Sequence, residues 1–352
     1  MARIILVTDA WYPQVNGVVR TMDMTAQTLR SFGHEVMVLE HTGIPGMSVP
    51  FYPEIRICFP SPGRIYGRIK KFRPDHIHVT TEGPLGLVVR QICRNHRWHF
   101  STSYHTKFPE YLKKLAKVPL RWTYGFLRWF HDAAAPLMTA TPSLEAELRA
   151  RGFLSPIRRW GRGVDTKVFQ PRPKKEAPFP GPILLYVGRV SHEKNVEEFL
   201  KLDTPGTKVV VGDGPARQQL ERQYPNAKFL GYQSGDALTD CYAMADLFVF
   251  PSKTDTFGLV VIEALACGVP VAAFPATGPV DILTHESLGA CNEDLGFAIK
   301  KALETGDRES CIEESKKYTW ENCTRQFESN LVPITGDLPD WAGRYVPPTT
   351  WL

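Results

Sequence analysis

Residues 246–270 constrain this 352-residue chain more tightly than any other stretch, because they read as a strand, a glycine loop and a helix in direct succession. Asp246-Leu247-Phe248-Val249-Phe250 is an apolar strand-like run, Pro251 ends it, and Asp255 to Gly258 has the chemistry of a turn. Leu259, Ile262 and Leu265 recur at helical spacing, Gly268 falls where a C-terminal cap belongs, and Pro270 stops the helix. In such a unit the first amides of the helix point at the loop and favour negative charge, most usefully a phosphate. Asp255 and Glu263 bracket that loop. Glu263 sits about one turn inside the helix, where a carboxylate accepts from sugar hydroxyls. A plainer account fits the same residues: Asp255 caps the helix and Glu263 is a solvated helix residue.

The pattern repeats along the chain. In the first half Ile4 to Thr8 reads as a strand, Val18 to Ser31 as a helix and Glu35 to Leu39 as a second strand. Pro74 to Val79 adds a strand and Leu85 to Arg94 a helix. A second series begins with Ile183 to Val187 as a strand, Asn195 to Leu200 as a helix and Lys208 to Val211 as a strand, and continues through Lys228 to Leu230, Leu247 to Phe250 and Val269 to Ala273. Alternation of this kind predicts an α/β class with two doubly wound parallel-sheet domains. Residues 171–182, rich in proline and charge, read as the linker between a front domain over 1–170 and a back domain over 183–318. Ligands are then expected where carboxyl-end loops of the two sheets meet across a cleft. Residues 319–352 are expected to supply one more helix, over Thr319 to Leu331, and a proline-rich tail that packs back on the front domain.

Hydrophobic residues at 43% and charged residues at 22% are those of a globular protein, and no apolar run approaches the ~20 residues that span a bilayer. The amino terminus runs straight into a strand without a small-residue cleavage site, which predicts a cytoplasmic protein. Seven cysteines, odd in number and without a Cys-x-x-Cys pair, read as reduced structural thiols. Charge is unevenly distributed. Residues 1–165 hold 23 Lys+Arg against 12 Asp+Glu, net +11; residues 166–352 hold the other 19 against 25, net −6. An acidic partner for the front half follows, either an anionic membrane or nucleic acid.

Gly188-Arg189-Val190-Ser191-His192-Glu193-Lys194-Asn195 lies between a predicted strand and helix, so Arg189 and Lys194 are placed to clamp a diphosphate without a metal, unless the loop is merely solvated. The segment from Asp9 to Arg20 forms the first loop of the front domain and ends in Asn16-Gly17, whose glycine allows close backbone approach to a ligand. Gly-x-Gly-x-x-Gly and Walker patterns are absent, which disfavours a dinucleotide site. Ser101 to Thr106 reads as a cleft-side loop whose His105 has the pKa to orient or deprotonate an acceptor hydroxyl, although a lone histidine also fits a structural role. His76 and His78 are read as structural. Gly212-Asp213-Gly214-Pro215 reads as a turn; no Asp-x-Asp or His-x-x-x-His pattern occurs, and no metal or other cofactor is expected. Tyr111 to Phe130 mixes aromatics with cations and suits an anionic lipid interface, single-stranded nucleic acid, or an ordinary helix with its aromatics turned inward. Arg64, Arg68, Lys70, Lys71 and Arg73 form a second basic cluster that favours the membrane.

Taken together, the loops at 9–20, 101–106, 188–195 and 251–270 resemble glycosyltransferase family 4 over nearly the whole chain. The resemblance implies the GT-B fold, a nucleotide-diphosphate-sugar donor used without metal, and retention of anomeric configuration. Gly188, Arg189 and Lys194 match the family's diphosphate-binding motif. Asp255 to Glu263 matches its acid-x7-acid motif, in which the second acid holds the ribose while the first acid and the amides that follow, here Phe257, Gly258, Leu259 and Val260, hold the donor sugar. Aspartate stands at 255 where many members have glutamate. The segments TDAWYPQVNGVVRT, SYHT and PSKTDTFGLVVIEAL look most like the branch with bacterial glycosyl-diacylglycerol and sulfoquinovosyl-diacylglycerol synthases and related mannosyltransferases. That branch implies a lipid acceptor, Tyr104 and His105 beside the substrates, and Asn16-Gly17 approaching the phosphates. The expectation is a peripheral enzyme at the inner face of the cell membrane that moves a hexosyl unit, glucose or glucuronate, from a UDP-sugar to diacylglycerol or a glycolipid, with no nucleic-acid partner. GDP-mannose-dependent mannosyl transfer is the first alternative and a non-catalytic membrane or nucleic-acid binding module the second.

Overall fold

Strands that are apolar on both faces must be covered on both faces, and that requirement shapes the whole chain. The computed structural model describes residues 1–14, 16–49, 52–174 and 178–342. The chain divides into two units, Met1–Gly161 with Trp320–Leu352, and Arg162–Thr319.

In the first unit β1 (Arg3–Val7), α1 (Gly17–Ser31) and β2 (Glu35–Leu39) open a parallel sheet. A two-stranded antiparallel ribbon, β3 (Gly46–Val49) and β4 (Tyr52–Cys58), precedes α2 (Pro62–Phe72). Then come β5 (His76–Val79), α3 (Pro84–His96), β6 (Ser101–Ser103), α4 (Phe108–Ala116), α5 (Leu120–His131), β7 (Leu137–Thr139), α6 (Pro142–Ala150) and β8 (Ile157–Arg159). The sheet order is β2-β1-β5-β6-β7-β8, and every pairing is parallel. Ile5, Val7, Ile77 and Val79 meet Leu85, Val89, Phe100 and Phe130 in the core on one side.

The second unit holds β9 (Ile183–Val187), α7 (Val196–Lys201), β10 (Thr207–Val211), α8 (Arg217–Gln223), β11 (Lys228–Gly231), α9 (Gly235–Met244), β12 (Leu247–Phe250), α10 (Leu259–Ala266), β13 (Val271–Ala273), α11 (Pro279–Ile282), β14 (Gly289–Cys291), α12 (Leu295–Thr305) and α13 (Arg308–Ser315). Its order is β11-β10-β9-β12-β13-β14, with two strands outward of its first strand where the first sheet has only β2 outward of β1. All five residues of β9 and all four of β12 are buried, as central parallel strands require. Burying a side chain such as Phe199, fully enclosed here, stabilises the unit by roughly 1.5–3 kcal/mol. The last helix, α14 (Trp320–Ser329), belongs to the first unit and packs on α1.

Three expectations need correction. The boundary falls between Gly161 and Arg162, ahead of the proline-rich segment, because residues past it are tied to the second unit: Thr239 donates to the Val168 carbonyl, and Arg172 pairs with Asp236 and Asp240. Of the expected linker, residues 175–177 lie outside the described residues, as do 343–352 of the expected tail. Ser101 to Ser103 is not a loop but strand β6, paired to β5 and β7 and fully buried. Tyr111 to Phe130 is two helices rather than one, broken where Lys117 turns left-handed (φ 53°) ahead of Pro119.

Candidate active site

In an open parallel sheet, the crevice lies beyond the carboxyl ends of the two strands where the order reverses. In the second unit those strands are β9 and β12, and the loops that follow them are 188–195 and 251–258, the two that carry Arg189, Lys194 and Asp255.

The first loop is built on main chain. Gly188 has φ 151°, and a Cβ there would stand 2.9 Å from the Tyr186 hydroxyl, which donates to the Arg189 carbonyl at 2.8 Å. Gly188 N donates to Val211 O at 3.0 Å and Val190 N to Asp213 O at 2.9 Å, laying the loop against residues 211–214. Gly212 has φ 135°, and a Cβ would lie 1.9 Å from Gly188 O, so only glycine fits. The Gly-Asp-Gly run is therefore the floor of the site as well as a turn. One 3-10 turn, His192–Lys194, ends in left-handed Asn195 and delivers Lys194 to the loop after β12. There its ammonium meets Asp255 Oδ1 at 2.6 Å, each side chain about one-fifth exposed.

The second loop turns on Gly258, left-handed at φ 86° and standing at the cap position of α10, where no side chain caps the helix. Asp255 is therefore not a cap; its carboxylate faces Lys194. The amides that open α10 have no acceptor within the helix, which leaves them suited to an anion. A third loop supports the second: Thr277 donates to Asp255 O at 2.8 Å, and a Cβ on Gly278 (φ 96°) would stand 2.1 Å from Phe257 O. Glu263 is 3% exposed and accepts from the Tyr242 hydroxyl at 3.3 Å, which excludes the solvated account. Thus Gly188, Arg189, Lys194, Asp255, Phe257, Gly258, Leu259, Val260 and Glu263 gather on two adjoining loops and one helix. Tyr242, Thr277 and the Gly212 floor were not anticipated; only Gly-Asp-Gly left a signal, and it reads as a turn.

The first unit holds the other expected residues. Asn16 caps α1, its amide oxygen accepting from Val18 N and Val19 N, and Gly17 is the first residue of that helix. Asn16 Oδ1 is thus committed to its own helix; Val15 lies outside the described residues. His105 stands two residues beyond β6, half-buried, edge-on to Trp160. Tyr104 is a correction. It is fully buried, in a core with Leu127, Leu137, Leu144 and Phe153, and burial, with Tyr124 and Glu110 nearby, holds its phenol well above the usual range. No substrate reaches a side chain so enclosed. His78 is enclosed between Ser101 and Ser103, and His76 bonds the Val332 carbonyl. Among the described residues no three or more of His, Cys, Asp and Glu come together as metal ligands.

A model of glycosyl transferases group 1 matches residues 169–318, and one of glycosyltransferase family 4 matches 15–168. A GDP-mannose-dependent alpha-mannosyltransferase of Mycolicibacterium smegmatis is 31% identical over 84% of this chain and 85% of its own length. The chain belongs to glycosyltransferase family 4. Within it, the sulfoquinovosyl transferase SQD2 of Arabidopsis thaliana is 27% identical over 96% of the chain and 70% of its own, and the alpha-monoglucosyldiacylglycerol synthase of Streptococcus pneumoniae is 27% identical over 86% and 78%. The sucrose-phosphate synthase of Thermosynechococcus elongatus shares the fold, with a TM-score of 0.76 at 20% identity over 94% of this chain and 98% of that one. This family 4 member is a glycosyltransferase of the GT-B fold, with two Rossmann-like parallel-sheet domains, related to glycolipid synthases and mannosyltransferases.

Proposed function

We propose that the protein is a retaining, metal-independent glycosyltransferase that moves a hexosyl unit, glucose or glucuronate, from a UDP-sugar to diacylglycerol or a glycolipid at a membrane surface. The observation that carries the reading is the cationic crevice of the second unit, where the 2.6 Å Lys194–Asp255 pair joins the two loops at the switch between β9 and β12. In the proposed reaction Lys194, Arg189 and the opening amides of α10 take up charge on the departing diphosphate, the main electrostatic task in such a step. Asp255 and the amides of 257–260 receive the donor sugar's hydroxyls, Glu263 receives the ribose, and the acceptor attacks from the face the diphosphate leaves. His105 contacts the acceptor or the donor sugar, and Asn16-Gly17 approaches the phosphates through main chain.

The lipid acceptor is supported by the α4–α5 pair, where Phe108, Trp122 and Phe126 are exposed at 44, 65 and 37% among exposed Lys113, Lys117 and Arg121. The side chains of Tyr111 and of residues 114–116 lie outside the described residues. Arg64, Arg68, Lys70, Lys71 and Arg73 are exposed on and just beyond α2. Aromatics beside cations suit the headgroup region of an anionic bilayer, and peripheral attachment to the inner face of the cell membrane follows on this reading. No described helix is long and apolar enough to cross a membrane.

A second reading, GDP-mannose as donor, rests on the 31% identity to the mannosyltransferase. Thermal melting with UDP and GDP, followed by transfer from matched radiolabelled donors into extractable lipid, separates the two. UDP is expected to raise the melting temperature, by about 2.7 kcal/mol of stabilisation at a hundredfold excess over Kd, and UDP-hexose to label diacylglycerol. A rise with GDP alone, and label from GDP-mannose alone, refutes the UDP assignment.

A further inference from the structure

The first unit has a switch point of its own, between β1 and β5, and the loop after β5 is unusually well fixed. Asp9, at the end of β1, reaches across and accepts from Leu85 N at 2.8 Å, Gly86 N at 3.1 Å and the Thr81 hydroxyl at 2.9 Å. A Cβ on Gly83 would stand 2.4 Å from the Asp9 carboxyl carbon, and one on Gly86 would stand 2.0 Å from Thr81 O. The backbone of 81–86 is thereby locked, and its one ionisable side chain is Glu82. One carboxylate oxygen of Glu82 is held by His131 Nε2 at 3.0 Å. His131 is fully enclosed, and its other ring nitrogen meets the Thr102 hydroxyl of β6 at 3.0 Å. Thr102 donating to Nδ1 leaves Nε2–H to point at Glu82, which satisfies the whole chain of groups. Glu82 itself keeps 21% of its side chain exposed.

We propose that Glu82 binds the acceptor, accepting a hydroxyl of an uncharged headgroup, and that His131 and Thr102 are positioning residues that aim it. An ionised carboxylate offers acceptors only. It welcomes the hydroxyls of glycerol or a sugar and repels a phosphate in the same place. The proposal rests on the lipid-acceptor reading above and narrows it to acceptors without a phosphate at the reacting headgroup.

The test uses the full chain with saturating donor and mixed vesicles carrying diacylglycerol, monoglucosyldiacylglycerol or phosphatidylinositol as acceptor. Wild type is expected to prefer the first two. Glu82→Gln is expected to raise the acceptor KM for these roughly ten- to hundredfold, the range of a hydrogen bond to a charged group, with the donor KM and melting temperature unchanged. Thr102→Val, nearly isosteric, is expected to raise the acceptor KM several-fold by loosening His131, again without effect on the donor KM. It also carries the test if Glu82→Gln does not fold. An unaltered acceptor KM, or donor and acceptor KM rising together as the melting temperature falls, makes Glu82 a structural group and overturns the proposal. Preference for phosphatidylinositol does the same. Absence of transfer by wild type to any acceptor overturns the functional reading beneath it, whereas transfer with an indifferent Glu82 overturns this inference alone.

Discussion

At the scale of single residues, the chemistry of the second unit depends on a cation already engaged. Lys194 rests against Asp255 in the free protein, so on the proposed function an incoming diphosphate exchanges one anion for another, and the released carboxylate turns to the sugar. Lys194→Ala is expected to lower kcat/KM by about 100- to 1,000-fold, the scale of losing one preorganised charge partner, while the melting temperature moves by no more than a few degrees. Steady-state rates beside thermal melting check this; a variant with wild-type turnover removes Lys194 from the site. The motif residues were legible because their chemistry is local: glycine before a cation and an acid eight residues ahead of another acid need no knowledge of the fold. Tyr104 was misjudged for the opposite reason. Its neighbour His105 emerges beyond the carboxyl end of β6, while Tyr104, one residue closer to that three-residue strand, turns inward to Leu127 and Phe153, and only tertiary packing decides which side each takes.

At the scale of elements, helices and strands declared themselves through period and punctuation, and β9, β12 and α10 fall within a residue of their expected bounds. The β3–β4 ribbon and the break between α4 and α5 did not. The ribbon carries no strong hairpin dipeptide, and the break depends on Lys117 adopting a left-handed conformation that its side chain does not announce. Besides the apolar burial of Tyr124, Leu127 and Phe130, a cluster of charge ties the α4–α5 pair to α6 and the residue that follows it: Lys107 bonds Glu147 at 2.8 Å, and Arg151, itself bonded to Glu147 at 2.9 Å, reaches Glu110 at 3.5 Å. Burial pushes the Glu147 carboxyl up, but Lys107 and Arg151 outweigh it and leave the group below its ordinary 4.5. A depressed carboxyl binds its proton less readily in the folded state, so its stabilisation is present above about pH 4.5 and is lost as pH falls through the folded value. Glu147→Gln is expected to cost about 1–2 kcal/mol near pH 7 and to flatten the loss of stability below pH 4.5. Urea midpoints measured across that range decide it; parallel profiles for variant and wild type refute the assignment.

At the scale of the whole molecule, membrane attachment on this reading is shared between grease and charge, and the two separate experimentally. Trp122→Ser with Phe126→Ser is expected to weaken co-sedimentation with anionic vesicles at all salt concentrations, whereas replacing Arg68, Lys70 and Lys71 by Gln weakens it mainly at low salt. Equal binding of every variant excludes both surfaces. The larger regularity is that each of two parallel sheets reverses its strand order beside its first strand, between β1 and β5 in one and between β9 and β12 in the other. Each sheet opens a crevice at its switch point, yet the loops there are furnished differently. Those after β9 and β12 carry Arg189, Lys194 and Lys253 against Glu193 and Asp255; those after β1 and β5 carry Asp9 and Glu82 and no lysine or arginine. On the proposed function, that difference in charge steers an anionic nucleotide toward the second unit's crevice and leaves the first unit's to a neutral acceptor.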